Sequence, residues 1–144
     1  MRILYLHQYF TTPEHAGGVR SYQFARRLVE RGISVDMVTS SAFLPTKKES
    51  GERFVSIRNI DGITVHVIHT AYANEMTFLR RIFAFLAFTL TASFYVLKLK
   101  NRDLVFATST PLTIGIPGLV AKLYHRIPMV FEVRDLWPDV PISM

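Results

Sequence analysis

Apolar positions along this chain recur at two different periods, and the order of those periods predicts a layered α/β domain. Arg2 to Leu6 form a short apolar run of strand length. Tyr22, Ala25, Leu28 and Val29 then recur at helical spacing, with Arg20, Arg26, Arg27 and Glu30 pointing elsewhere, and Gly32 stops the helix. Ile33 to Thr39 is a second apolar strand, which completes a parallel, right-handed strand-helix-strand unit. Ser40 to Arg53 is polar, contains Pro45 and Gly51, and reads as a surface loop. Phe54 to Arg58 and Ile63 to Ile68 alternate around Asp61-Gly62, a hairpin signal, and one of the two strands is expected to join the main sheet. Asp103 to Ala107, Leu112 to His125 and Pro128 to Val133 resume the strand-helix-strand order, with Thr110 and Pro111 as N-cap and first helical residue. The expected fold is an open, mainly parallel sheet with helices on both faces.

One stretch departs from this pattern. Between Thr77 and Lys100 the sixteen residues Ile82 to Leu97 carry no charge, with Arg80 and Arg81 before them and Lys98, Lys100 and Arg102 after. As a helix these sixteen reach about 24 Å, short of the roughly 30 Å hydrocarbon core, so a full membrane span is not expected. Two readings fit: a helix packed between sheet and neighbouring helices, or one partly exposed at a membrane face. In the second, Phe83 and Phe88 enter the acyl boundary while Arg80 and Arg81 meet anionic headgroups.

Composition narrows the function classes. The 144 residues fit one globular domain, and the absence of cysteine removes disulfides, thiolate nucleophiles and thiolate metal sites. No charged-then-apolar leader opens the chain, so a cytoplasmic location is the expectation. The net charge of +6 favours an anionic partner: nucleic acid, acidic phospholipid or a phosphorylated small molecule. Nucleic acid is disfavoured, because no basic run interleaved with aromatics appears. The five histidines are scattered without close carboxylate or cysteine partners, so no bound metal is expected; His66 and His69, three apart, would face opposite sides of a strand.

Candidate chemistry gathers at the ends of the strands. Gly17 and Gly18 precede the first turn of the first helix, where bare backbone amides and the positive end of the helix dipole would face an anion. A tight strand-to-helix turn explains the pair equally well. The residues after it, Val19, Arg20 and Ser21, break the G-x-G-x-x-G dinucleotide fingerprint, which disfavours a nicotinamide enzyme. Thr108, Ser109 and Thr110 fall at the carboxyl end of a strand, an edge shared with His7 to Phe10 and Arg134 to Trp137, and His15 could reach the same rim.

The strand-like start MRILYLHQYF, the diglycine before Arg20-Ser21-Tyr22, Ala107 to Pro111, and the ending Arg134-Asp135-Leu136-Trp137-Pro138 occur together in that order. With these motifs the whole chain resembles the amino-terminal, acceptor-side half of family 4 glycosyltransferases, a Rossmann-like domain of the GT-B fold. It looks closest to bacterial enzymes of O-antigen or capsule synthesis, including L-fucosamine transferases. The resemblance implies a hexosyltransferase-type reaction, from a nucleotide-sugar donor to a lipid-linked saccharide acceptor, on the inner face of the cell membrane. The nucleotide-sugar is a substrate, and no cofactor is implied. Donor binding would fall to a carboxy-terminal domain beyond Met144, so the 144 residues are expected to form a single domain incompetent alone.

Carried over by position, Gly17 and Gly18 would lie near the donor phosphates, with Arg20 as the cation that stabilises leaving diphosphate. Many relatives carry a histidine where Arg134 aligns, and a guanidinium, always protonated, would bind an anion and not act as a base. Asp135 is the catalytic candidate, a carboxylate that can accept a bond from a sugar hydroxyl. Arg20 on a solvated helix face and Asp135 capping a turn are the plainer readings. A non-catalytic module that binds anionic lipid through the basic surface and apolar helix is the alternative from another class.

Overall fold

The computed structural model describes residues 1–15, 17–42, 44, 54–70, 77–109 and 111–134. In chain order the elements are β1 (Arg2–Leu6), α1 (Arg20–Glu30), β2 (Ser34–Ser40), β3 (Val55–Ile60), β4 (Ile63–Ile68), α2 (Phe78–Val96), β5 (Leu104–Thr108), α3 (Gly115–His125) and β6 (Met129–Glu132). They form a Rossmann-like α/β fold whose six-stranded sheet has the order β3-β4-β2-β1-β5-β6. Every adjacent pair is parallel except β3 with β4, the expected hairpin, and β4 is the member that joins the main sheet beside β2.

The strands read as unbroken apolar runs because both faces of the sheet are covered. Ile3 and Tyr5 of β1, Val35 and Met37 of β2, and Ile63, Val65 and Val67 of β4 face α1, where Tyr22 and Ala25 close the layer. Leu4, Leu6, Val38, Ile68, Val105 and Ala107 face the other way, against Phe88, Ala92 and Val96 of α2 and Ala121 of α3. The helical positions read from the sequence, Tyr22, Ala25, Leu28 and Val29, are the ones that pack in the first layer.

Local chemistry sets several boundaries. Asp61 and Gly62 both hold positive φ, 49° and 83°, as a two-residue primed turn requires. A Cβ on Gly62 would stand 2.8 Å from Val29 Cγ1, so this turn also lets α1 approach the hairpin closely. The third helix starts later than the sequence suggests. Pro111 is extended, Leu112–Ile114 form a 3-10 turn, and α3 begins at Gly115. Pro117 explains the delay: within a helix begun at Leu112 its ring would meet the Thr113 carbonyl, whereas in the first turn of α3 its missing N–H has no partner to lose. Thr110, the expected N-cap, lies outside the described residues, as does most of the expected surface loop from Ser40 to Arg53.

Candidate active site

In open α/β sheets ligands bind beyond the carboxyl ends of the strands. That edge here receives His7 and Gln8 after β1, Thr108 and Ser109 at β5, Glu132 to Arg134 at β6, and the start of α1. Gly17 and Gly18 are both exposed. Gly17 holds φ +130° and lies where a Cβ would come within 3.0 Å of Thr11 Cγ2, so a side chain there is disfavoured twice; a Cβ on Gly18 would meet no described atom within 4 Å. The N-cap position of α1 is Val19, and no side chain caps the helix. Its first-turn amides therefore keep their affinity for an anion.

Four of the expected site residues, Arg20, Thr108, Ser109 and Arg134, meet around one that the sequence reading missed, Glu132. Arg20 forms an ion pair with one Glu132 carboxylate oxygen, and the Thr108 hydroxyl donates to the other at 3.0 Å. Ser109 N donates to the Glu132 carbonyl at 2.8 Å, and Ser109 Oγ accepts from Arg134 N at 2.8 Å. Arg20 is thus not simply a solvated cation. With its side chain 64% exposed, however, the pair is worth only about 0–1 kcal/mol. A carboxylate at the end of the last strand, between Phe131 and Val133, was the available signal for Glu132.

Beneath this cluster, burial raises the pKa of the Tyr5 phenol and keeps it neutral, and Thr108 also approaches its oxygen at 3.4 Å. Burial, reinforced by the Arg134 charge, lowers the His7 pKa to about 4, so the imidazole is neutral near pH 7. His15 bonds to Thr12 at 2.9 Å and lines a separate pocket of about 470 Å³ with Tyr22, Arg58 and Asp61. It does not join the Glu132 cluster. Asp135, the catalytic candidate, lies outside the described residues. Among the described residues no three His, Asp or Glu side chains gather as a metal site.

The membrane-contact expectations divide. Phe83 is 69% exposed and Arg80 is also exposed, whereas Phe88 is 0% exposed and belongs to the core, because it falls on the side of α2 that faces the sheet. The side chain of Arg81 lies outside the described residues. No helix of the described residues is long and apolar enough to cross a membrane.

A second polar group escaped the sequence reading. Asp36 on β2 accepts a hydrogen bond from Arg102 Nη2 at 2.9 Å, its other carboxylate oxygen forms an ion pair with Arg102 Nε at 2.9 Å, and His66 Nε2 lies 2.9 Å from the first oxygen, while His66 Nδ1 lies 2.8 Å from the Tyr95 hydroxyl. Burial alone would raise the Asp36 pKa, but the His66 bond and the Arg102 charge outweigh it and hold the carboxyl below its ordinary value. The quartet ties α2 to the strands from the amino-terminal side of the sheet, away from the glycine loop.

Among known families, the model of the glycosyl transferase 4-like domain matches residues 16–144, nearly the whole chain. The chain belongs to that family. In this glycosyl transferase 4-like domain the match spans the glycine loop, α1, Thr108, Glu132 and Arg134, the parts that converge at the carboxyl edge. Two crystal structures of the C-terminal domain of a hydrogenase from Pyrococcus furiosus are similar to it, with TM-scores of 0.61 and 0.60 and 20% and 19% identity. Each alignment covers 91% of this chain and 90% of that one, and at such identity the likeness concerns the fold alone. A search of curated proteins finds no match.

Proposed function

We propose that this glycosyl transferase 4-like domain forms the acceptor-side wall of an enzyme that transfers a hexosyl-type sugar from a nucleotide-sugar to a lipid-linked saccharide. The reaction belongs to cell-surface polysaccharide synthesis of the O-antigen or capsule kind, on the cytoplasmic face of the membrane. Family membership supports the reaction class. The observation that supports a diphosphate-bearing donor is the exposed Gly17–Gly18 loop before an α1 that no side chain caps, with Arg20 as its first helical residue. Negative charge grows on the leaving diphosphate as the glycosidic bond breaks, so fixed amides and a nearby cation stabilise the transition state more than the ground state. Exchange of the weak Arg20–Glu132 pair for a phosphate would free Glu132 and Thr108 to bond sugar hydroxyls.

The test is release of nucleoside diphosphate and labelled sugar transfer by the complete enzyme. Gly18→Val adds methyls over the amides at a position where a Cβ meets no described atom. It is expected to lower transfer about a hundredfold, with an unchanged thermal midpoint. Full activity in that variant, or no transfer from any nucleotide-sugar by the unaltered enzyme, overturns the reading.

A further inference from the structure

α2 is apolar nearly all round, and only one side of it is used by the core. Phe88, Ala92 and Val96 point into the sheet. On the opposite side Leu79, Phe83, Leu86, Leu90 and Phe94 form a stripe at spacings of three and four residues, every one of them exposed and Phe94 70% exposed. α3 lies beside α2 on the same face of the sheet, the two ending together where His125 Nε2 meets the Val96 carbonyl at 2.9 Å. The chain entering and forming α3 carries its own outward stripe: Leu112, Ile116, Leu119 and Leu123. Two adjacent stripes make an apolar face wider than scattered surface leucines.

Charge coincides with this face. From Met76 to Phe131 the sequence holds seven lysines and arginines against one acid, Asp103, whereas the rest of the chain holds ten of each sign. The whole net charge of +6 therefore comes from the stretch that builds α2 and α3. Neither helix contains an acid, and Arg80, Lys98, Lys100, Lys122 and Arg126 stand exposed at or near their ends. Apolar side chains on the outward face with cations around it match the acyl boundary and the headgroups of an anionic leaflet.

We propose that the α2–α3 face docks peripherally on an anionic phospholipid bilayer, with Phe83, Leu90, Phe94, Leu119 and Leu123 entering the acyl boundary. Docking rests on this surface and not on sugar transfer. Its consequence for substrate delivery does rest on the transferase reading. α2 starts on the carboxyl-edge side of the sheet, where Phe85 packs against Tyr9 from the segment after β1, ring centroids 6.3 Å apart. A lipid-anchored acceptor moving in the leaflet would thus arrive at the rim that holds Glu132 and the glycine loop.

Sedimentation with vesicles of phosphatidylglycerol and phosphatidylcholine, compared with phosphatidylcholine alone, tests the docking. The protein is expected to bind the anionic vesicles at least about tenfold better and to be partly released by salt. Phe83→Glu with Phe94→Glu, and separately Lys98→Glu with Lys122→Glu, should each lower binding about tenfold while circular dichroism and the thermal midpoint stay unchanged. All four side chains are exposed, and the charge pair keeps the question answerable if the aromatic pair fails to fold. Undiminished binding by folded variants overturns the proposal. So does an absence of vesicle binding, whether the face proves to be covered by another copy of the chain, seen as a dimer in velocity sedimentation, or by further polypeptide.

Discussion

At the scale of single residues, His7, buried just past the end of β1, gives the stability a pH dependence. His7 stays neutral in the folded chain down to about pH 4, while in the unfolded chain it takes a proton near its ordinary value of 6.5. Between those values the unfolded state binds more protons, so stability falls as pH drops from about 6.5 towards 4 and levels off below. From about pH 7 to about pH 4.5 the loss from this residue is roughly 2 kcal/mol. Urea midpoints for the unaltered protein and His7→Gln at the two pH values check this, the variant showing the shallower acid limb. Parallel curves would mean that His7 is not the group responsible. Glu132 shows why such residues were hard to read in advance: its partner Arg20 is 112 positions away, and no local pattern links them.

Secondary-structure elements were the most legible level, since each is written in periodicity and turn residues that act over a few positions. The Asp61-Gly62 turn and the Gly32 stop appear where the sequence places them. Gly62→Ala must hold a positive φ and meet Val29 at 2.8 Å, which should cost about 1–2 kcal/mol in urea unfolding. A neutral result would mean that α1 and the hairpin relax apart freely. The start of α3, and the choice between the packed and the membrane-facing reading of Phe88, were not legible for related reasons. Pro117 acts on a carbonyl one turn earlier, and a helix apolar on every side does not declare which side is covered until it has packed against a sheet.

The whole molecule is two apolar layers sharing one sheet, and β1 in its middle contributes Ile3 and Tyr5 to one layer and Leu4 and Leu6 to the other. Cooperativity across the sheet is the expected consequence. Phe88→Ala should cost about 3–5 kcal/mol, and should speed hydrogen exchange at the amides of β1, including those of Ile3 and Tyr5, by at least about a hundredfold. Exchange at Ile3 and Tyr5 that ignores the substitution would show that the layers open separately. Read alone, the chain specified its elements, its mainly parallel sheet and the glycine loop before α1, because strand period, helix period and positive-φ turns are short-range steric facts. Folding in three dimensions settled which cation meets which carboxylate, which side of α2 is left in water, and how the Asp36 quartet closes. Those outcomes depend on contacts between positions tens to more than a hundred residues apart, and only the complete packing of the sheet brings such positions together.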